Sequence, residues 1–511
     1  MPTGPKATPV SDSRNVVDLP PTSGSPDTAT DASRALRHAG RLGSSVLVTA
    51  AIGFVIQFLA ADLLGKSDAG KVGGAESLSI LLLGLMSFGV DTYARKVVAV
   101  RPEEARTFVP GVVALRFVVS ATIFGLATVV LHQMGRGSTA IVLFGMYAAS
   151  RFLLQTNELF AACLQATGSV KGLATNNLFT KLLWAAVILV GLALGLGPLS
   201  VPAGWIAGEG CKALLLGRRV TRELSVRWMP QAGPTRTVLL ASLPFSAGTV
   251  VANWSTYFDV TLISFWFDDE EVGLYRIAQA VSAFIFLVGT VLPWVLMPLA
   301  ARALERSVED FREVMRRGMQ IVLVIAIPGS VMLYLHADTI LSIMGPEWEP
   351  AIPGLRNLAV NLLATYVILT TMTFLQVEGR AWQTVRIGLF GVVLNMTLNG
   401  LLLRRLAPEY GIGGAGRVAG GIAVVTEITV AALCLIALGR QAWDHTSVTN
   451  TLRVVAASVP VIVVDRILAG RGFSWVRLGA DGVLYTALLL LTGALRAREF
   501  GVLFARGKVS K

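Results

Sequence analysis

From residue 43 almost to its end, the chain is a succession of apolar stretches separated by short polar connections. Each stretch is about 20 residues long, enough for a helix to cross a hydrocarbon core of about 30 Å. In lipid the backbone must satisfy its own hydrogen bonds, which leaves helices or a closed barrel. The stretches are far longer than barrel strands and lack their strict alternation. Only 15% of the 511 residues are charged and 54% are hydrophobic; a soluble domain carries about 25% charged residues. An all-α polytopic membrane protein is expected.

Candidate spans lie at about 43–64, 73–94, 108–132, 139–165, 173–196, 199–217, 238–266, 273–300, 318–337, 352–377, 383–403, 417–438, 453–470 and 478–495, fourteen in all. The first ~35 residues are rich in Pro, Ser, Thr and Asp without an apolar h-region. They read as a disordered tail rather than a cleaved signal peptide, and the first apolar run as an uncleaved anchor.

Lys and Arg in the connections orient the spans, because cytoplasmic loops carry their excess. With the N-terminus in the cytosol, "ARKVVAVRPEEAR", "GRRVTRELSVRW" and "ARALERSVEDFREVMRR" fall inside, while "GLGPLSVP" and "FDDEE", without a Lys or Arg, fall outside. Both termini are then cytosolic, in the inner (cytoplasmic) membrane of a cell. The net charge of +12 belongs to these flanks and suits anionic membrane lipids rather than nucleic acid.

A junction is written twice. "LQATG" (164–168) closes the fourth span and "LQVEG" (375–379) the tenth. "DAGKVGGAESLSILLLGL" opens span two and "EVGLYRIAQAVSAFIFLV" opens span eight, aligning Gly70 with Gly273 and Ala75 with Ala278. Glu209 and Glu427 sit alike in spans six and twelve. All three echoes place a duplication at six helices. Six crossings return the chain to its starting side, so the halves share one orientation and a pseudo-two-fold along the membrane normal, as in parallel-repeat transporters. The expected organisation is a disordered cytosolic tail (1–40), a six-helix lobe (41–222), a cytosolic linker (223–237), a second six-helix lobe (238–439), two further transmembrane helices (440–496) and a cytosolic tail (497–511).

Spans seven and eight carry an ordered series: Pro244, Asp259, then Val272, Gly273 and Tyr275, followed by a helix-ending Pro298, "GPEWEPAIPGLRNLAV", "LQVEGR", and Asn395 and Asn399 in "VLNMTLNGLLL". Over residues 40–440 this resembles the polysaccharide-exporter branch of the multidrug/oligosaccharidyl-lipid/polysaccharide superfamily. The resemblance implies a two-lobed flippase of lipid-linked oligosaccharides, the Wzx type, with polysaccharide polymerase and glycosyltransferases as its company. No cofactor, metal or catalytic residue is implied.

Ionisable residues at membrane depth usually face a cavity or a partner. Arg151 lies about 18 Å into span four at 1.5 Å per residue, with Gln155 and Glu158 on the same face at i+4 and i+7. This is either a polar stripe lining a cavity or an internal Arg151–Glu158 pair that pins the helix. Lys181, one turn from Asn177 on span five, either joins Arg151 on a substrate diphosphate or snorkels; Arg116 shares that ambiguity, and Arg276 and Arg356, within about two turns of the outer surface, are read as snorkelling. Ser246, Thr249, Asn253 and Thr256 on span seven, and Asn357, Asn361 and Thr365 on span ten, are faces suited to sugar hydroxyls or to helix–helix hydrogen bonding. Asp259 is a candidate coupling or ion-pair group; Asn395 and Asn399 read as packing residues.

Other functions fit less well. A cation-coupled multidrug exporter favours a carboxylate deep in the first lobe, whereas Asp62 and Asp91 lie near span ends and Glu209 and Glu427 sit on outer spans. A glycan polymerase needs a sizeable external loop, and none is present. A lipid II flippase is expected to carry Arg in its first two spans, and span 43–64 has none. There is no P-loop, GxGxxG or hydrolase elbow, and "GIGGAG" (411–416) follows no expected strand. Cys163, Cys211 and Cys434 lack metal-ligand spacing and read as core residues.

Overall fold

The computed structural model describes residues 28–169, 172–439, 445–468 and 474–494. Most of the expected tails, 1–27 and 495–511, therefore lie outside the described residues. Residues from Ser45 onward form one compact unit and Met1–Ser44 another. Every regular element among the described residues is helical.

The first, α1 (Thr28–Met86), is long enough for two crossings, and Gly65 divides it with φ 73° and ψ 168°. Only glycine enters that region freely, so the expected first and second spans meet at a sharp break. The second span does not run through to 94 as the sequence suggested. It stops at Met86, because Phe88 (φ 51°) and Gly89 (φ 64°) leave helical geometry, and α2 (Val90–Val100) starts anew. Arg116 of α3 (Ala105–Gln133) stabilises the break. Its guanidinium donates to the Ser87 carbonyl at 2.9 Å and to the Gln155 carbonyl at 2.6 Å, and meets both oxygens of Asp91 at 3.1 Å. Arg116 is 1% exposed and does not snorkel.

The first half continues with α4 (Ser138–Ala166), α5 (Leu173–Ala193) and α6 (Ser200–Glu223). The second comprises α7 (Ala232–Trp266), α8 (Asp269–Arg306), α9 (Val308–Leu335), a single turn α10 (Ala337–Leu341), α11 (Ile352–Val377), α12 (Ala381–Leu398), a short α13 (Arg404–Leu406) and α14 (Gly414–Leu438). Pro298 does not end its helix: α8 passes through it for eight more residues, and Arg302 donates to the Pro298 carbonyl. A π-helical turn, Asn399–Leu403, interrupts the eleventh expected span. Finally α15 (His445–Leu468) and α16 (Ser474–Leu491) pack against each other and against α9.

Eight helices among the described residues are long and apolar enough to cross a membrane by length and composition. Helices α4, α6, α7, α8 and α15 match them in length, 24 residues or more, which is about 36 Å of rise or more. The protein is a polytopic all-helical membrane protein. Its largest core joins α8, α9, α11 and α14 around Tyr275, Phe311, Trp348 and Phe374.

At the acidic end of the bundle, the end bearing 267–271, the halves touch through their echoed glycines. A Cβ on Gly70 would lie 1.6 Å from the Asp269 carbonyl oxygen, and one on Gly273 would lie 2.1 Å from that of Lys66. Nothing larger than glycine allows this backbone approach. Lys66 pairs with Glu270 across the same contact, and Arg136 donates to the Ser264 carbonyl. The glycine-rich 411–416 stretch begins α14, and Glu271 caps it by accepting from the Gly413 and Ala415 amides at 2.5 and 2.9 Å. That carboxylate satisfies amides a helix start leaves without partners.

Candidate functional site

Beneath the closed acidic end lies a cavity of about 830 Å³. Its wall runs from Glu76, Arg151 and Arg276 to Gln376 and Thr384 near the basic end. Three helices meet at its head. Glu76 of α1 receives Arg151 of α4 at 3.1 Å on one carboxylate oxygen and Arg276 of α8 at 2.7 Å on the other. Arg151 also donates to Ser79 Oγ at 3.1 Å. Its guanidinium lies 5.4 Å from each of the Tyr147 and Trp205 ring centres. Arg276 has room because Gly73, which offers no side chain, lies beneath its stem. One buried carboxylate thus faces two guanidinia, leaving a net positive charge at the junction of the halves.

The cavity wall below is rich in amides and hydroxyls. Ser255, Thr256, Gln279, Asn361, Thr365, Thr384 and Gln376 line it. The Asn361 side-chain oxygen is buried with no hydrogen-bond partner among the described residues, so an acceptor stands ready for a donor. Deeper in the second half, Asp259 of α7 accepts from Asn399 at 3.0 Å and from the Tyr275 hydroxyl at 3.4 Å. Asn399 donates as well to Asn395 Oδ1 at 3.2 Å, at the start of the π-helical turn. Such turns often mark functional sites because they release backbone groups from the helical ladder. Asp259 and Glu427 both line the cavity.

Comparison with known proteins places the chain. The profile described as "Polysaccharide biosynthesis protein" matches residues 35–305, just over half of the chain. The chain belongs to that family. The MatE profile matches 244–401 as well. A "Probable flippase AglR" of Haloferax volcanii is 24% identical over 237 residues, 45% of this chain and 47% of that protein; the match spans about half the relative's length. Among solved structures, "Lipid II flippase MurJ, inward closed conformation" superposes with a TM-score of 0.72 at 12% identity, covering 91% of this chain and 99% of that one. The Vibrio cholerae MATE transporter VcmN, in its bent form, gives 0.51 at 15% identity over 81% and 100%. These likenesses show the fold shared by these transporters.

The positions that carried the family resemblance converge. Asp259, Tyr275 and Asn399 are joined by hydrogen bonds, and Gly273 forms the backbone contact at the acidic end. Asn395 and Asn399, expected as packing residues, hold the carboxylate network together. Glu427, expected on an outer span, lines the cavity.

Other expected residues divide. Arg151, Asn361, Thr256, Thr365 and Asp259 line the cavity. Lys181 does not appear in that wall; its ammonium sits 3.3 Å from the Trp184 ring centre and 4.9 Å from that of Trp205. Arg151 and Lys181 therefore share Trp205. The Arg151–Glu158 pair is not formed: Glu76 takes the guanidinium and Glu158 is exposed. Side chains on a helix lean toward its N-terminus, so Arg151 reaches away from a residue two turns further on. Gln155 is buried beside Arg116 rather than in the cavity wall, with its backbone carbonyl accepting from that guanidinium. Asn253 packs over Gly84 at a helix crossing, and Thr249 is exposed outside the cavity wall. Asn357 donates to the Arg417 carbonyl at 2.8 Å and joins α11 to α14. Arg276, open to snorkelling in sequence, is an ion-pair partner, whereas Arg356 lies against Tyr334.

Glu76 was not singled out from sequence. Its signal was present: it is an acidic residue in an apolar span, and the register that pairs Gly70 with Gly273 pairs it with Gln279, another cavity residue. Asn157, which donates to Glu209 at 2.7 Å, was missed too.

Proposed function

We propose that the protein is a flippase for a lipid-linked oligosaccharide, an undecaprenyl-diphosphate-linked glycan, moved across the cytoplasmic membrane by alternating access. The observation that carries this reading is the pair of arginines, one from each half, meeting at the head of an amide- and hydroxyl-lined cavity. A guanidinium offers paired donors matched to phosphate oxygens. The diphosphate displaces Glu76 and takes both arginines, and the glycan follows along Thr256, Asn361 and Thr365. The relatives named as flippases support the activity.

Asp259 is the coupling group in this reading. A buried carboxylate held by neutral amide and phenol donors suits reversible binding of a proton or cation. Each charge moved across 100 mV supplies about 2.3 kcal/mol, so a gradient or membrane potential drives the cycle without ATP. The two repeats, 41–222 and 238–439, are the rocking bodies, with both termini cytosolic. Glycosyltransferases then supply the substrate inside and a polymerase consumes it outside.

A multidrug exporter for cations gains a deep carboxylate in Glu76, but two guanidinia on it leave the site positive and repel such a cargo. Deletion followed by mass spectrometry of lipid extracts tests the proposal. Accumulation of a lipid-linked repeat unit is expected; an unchanged lipid pool with raised drug sensitivity would reverse the ranking.

A further inference from the structure

Away from the cavity, where α15 and α16 dock on the second half, three potential metal ligands converge. His336 lies between α9 and α10, Asp465 on α15 and Asp481 on α16. One ligand atom from each lies within 4.8 Å of the others. His336 and Asp481 are 0% exposed and Asp465 is 5% exposed.

We infer that His336, Asp465 and Asp481 form a divalent transition-metal site that ties the last helix pair to the transporter body. Three features support it. The donor set, one imidazole and two carboxylates from three separate segments, is that of zinc-type cations, which take nitrogen and oxygen ligands and accept water in a fourth position. The charges favour a cation: Asp465, Asp481 and the nearby Asp338, when all three are ionised, set three negative charges against one guanidinium, Arg477. That guanidinium lies 3.1 Å from Asp465 and 3.4 Å from Asp338. A dication held by a neutral imidazole brings the group to zero.

The third feature is orientation. His336 Nε2 is 3.1 Å from Asp481 Oδ2, yet neither ring nitrogen and neither Asp481 oxygen has an aligned hydrogen-bond partner among the described residues. A protonated imidazole would supply the charge equally well, but it would aim an N–H at the carboxylate. Buried polar atoms are nearly always paired; unpartnered ligand atoms within 4.8 Å of one another are what a metal ion satisfies. Arg477 then supplies the neighbouring positive charge, 3.1 Å from Asp465. The sequence reading expected no metal and did not bring these three residues together; they are scattered over 146 positions.

The test uses the full chain without a polyhistidine tag, purified in detergent, stripped with chelator and reloaded with Zn²⁺. Elemental analysis is expected to give about one Zn²⁺ per chain, and the loaded protein to melt several degrees higher than the stripped one. His336→Ala and Asp481→Asn should each lose stoichiometric metal and the melting shift. X-ray absorption at the zinc edge of the wild type needs no variant and should show a shell of nitrogen and oxygen with imidazole scattering. Three results would each overturn the inference: no stoichiometric zinc with melting indifferent to zinc and chelator, one zinc per chain persisting in both variants, or a sulfur shell. Bound zinc without a melting shift would remove the tying role.

Discussion

Glu76 holds two arginines that the chain brings from opposite halves, and its removal separates structure from transport. Glu76→Gln leaves two largely buried guanidinia without their carboxylate. Breaking a buried pair from one side costs about 3–5 kcal/mol, and the cavity beside Arg276 places this site at the lower end. A lower melting temperature is expected, measured on purified protein; an unchanged one would mean the pairs contribute nothing to folding. Arg151→Lys keeps the charge but loses the fork, and should slow flipping about tenfold or more while leaving folded protein in the membrane. At Asp259, Asn is nearly isosteric and keeps hydrogen-bonding capacity. Asp259→Asn should abolish acceleration by an ion gradient while substrate binding persists; a full gradient response in that variant would remove Asp259 from coupling. The pairing of Arg151 was misread in sequence for a geometric reason. Helical spacing identifies residues on its own helix, here Glu158, whereas the actual partner comes laterally from another helix and depends on tertiary packing.

At the scale of the element, the glycine echo was the most informative feature of the sequence. Gly70 and Gly273 aligned as a repeat, and they contact each other's helices through backbone atoms. A larger residue there must part the two halves at the acidic end. Gly273→Val should therefore raise labelling of a cysteine placed at the cavity residue Gln279, in a background lacking Cys163, Cys211 and Cys434, by a reagent confined to the acidic side. Labelling equal to that of the glycine parent would mean the contact does not gate access. Span count and length were legible because apolar runs of about 20 residues have few other solutions. The break at 87–89 was not, because Ser87, Phe88 and Gly89 fit an apolar run and the Arg116 that stabilises it comes from the next helix. The polar stripes were half legible: a 3.6-residue period shows that Asn253 and Thr256 lie near one side of α7, but not that only Thr256 meets the cavity.

For the whole molecule, we propose from the distribution of lysine and arginine that the acidic end faces the outside. Cysteines at Asp268 and Ser307 in an otherwise cysteine-free chain check this in intact cells. Labelling at 268 and protection at 307 is expected; the opposite pattern would invert the topology. The closed acidic end and the cavity wall reaching Thr384 near the basic end then correspond to a state closed to the outside. The central claim joins that state to the cargo: two arginines and a polar wall move a diphosphate-linked glycan under an ion gradient or membrane potential. Its most direct test is flipping of an undecaprenyl-diphosphate-linked oligosaccharide in sealed vesicles containing only this protein, with an imposed gradient and no ATP. Gradient-dependent flipping that falls about tenfold or more in Arg151→Lys is the expected result. Flipping that requires ATP, or that runs equally fast in Arg151→Lys, would contradict the account.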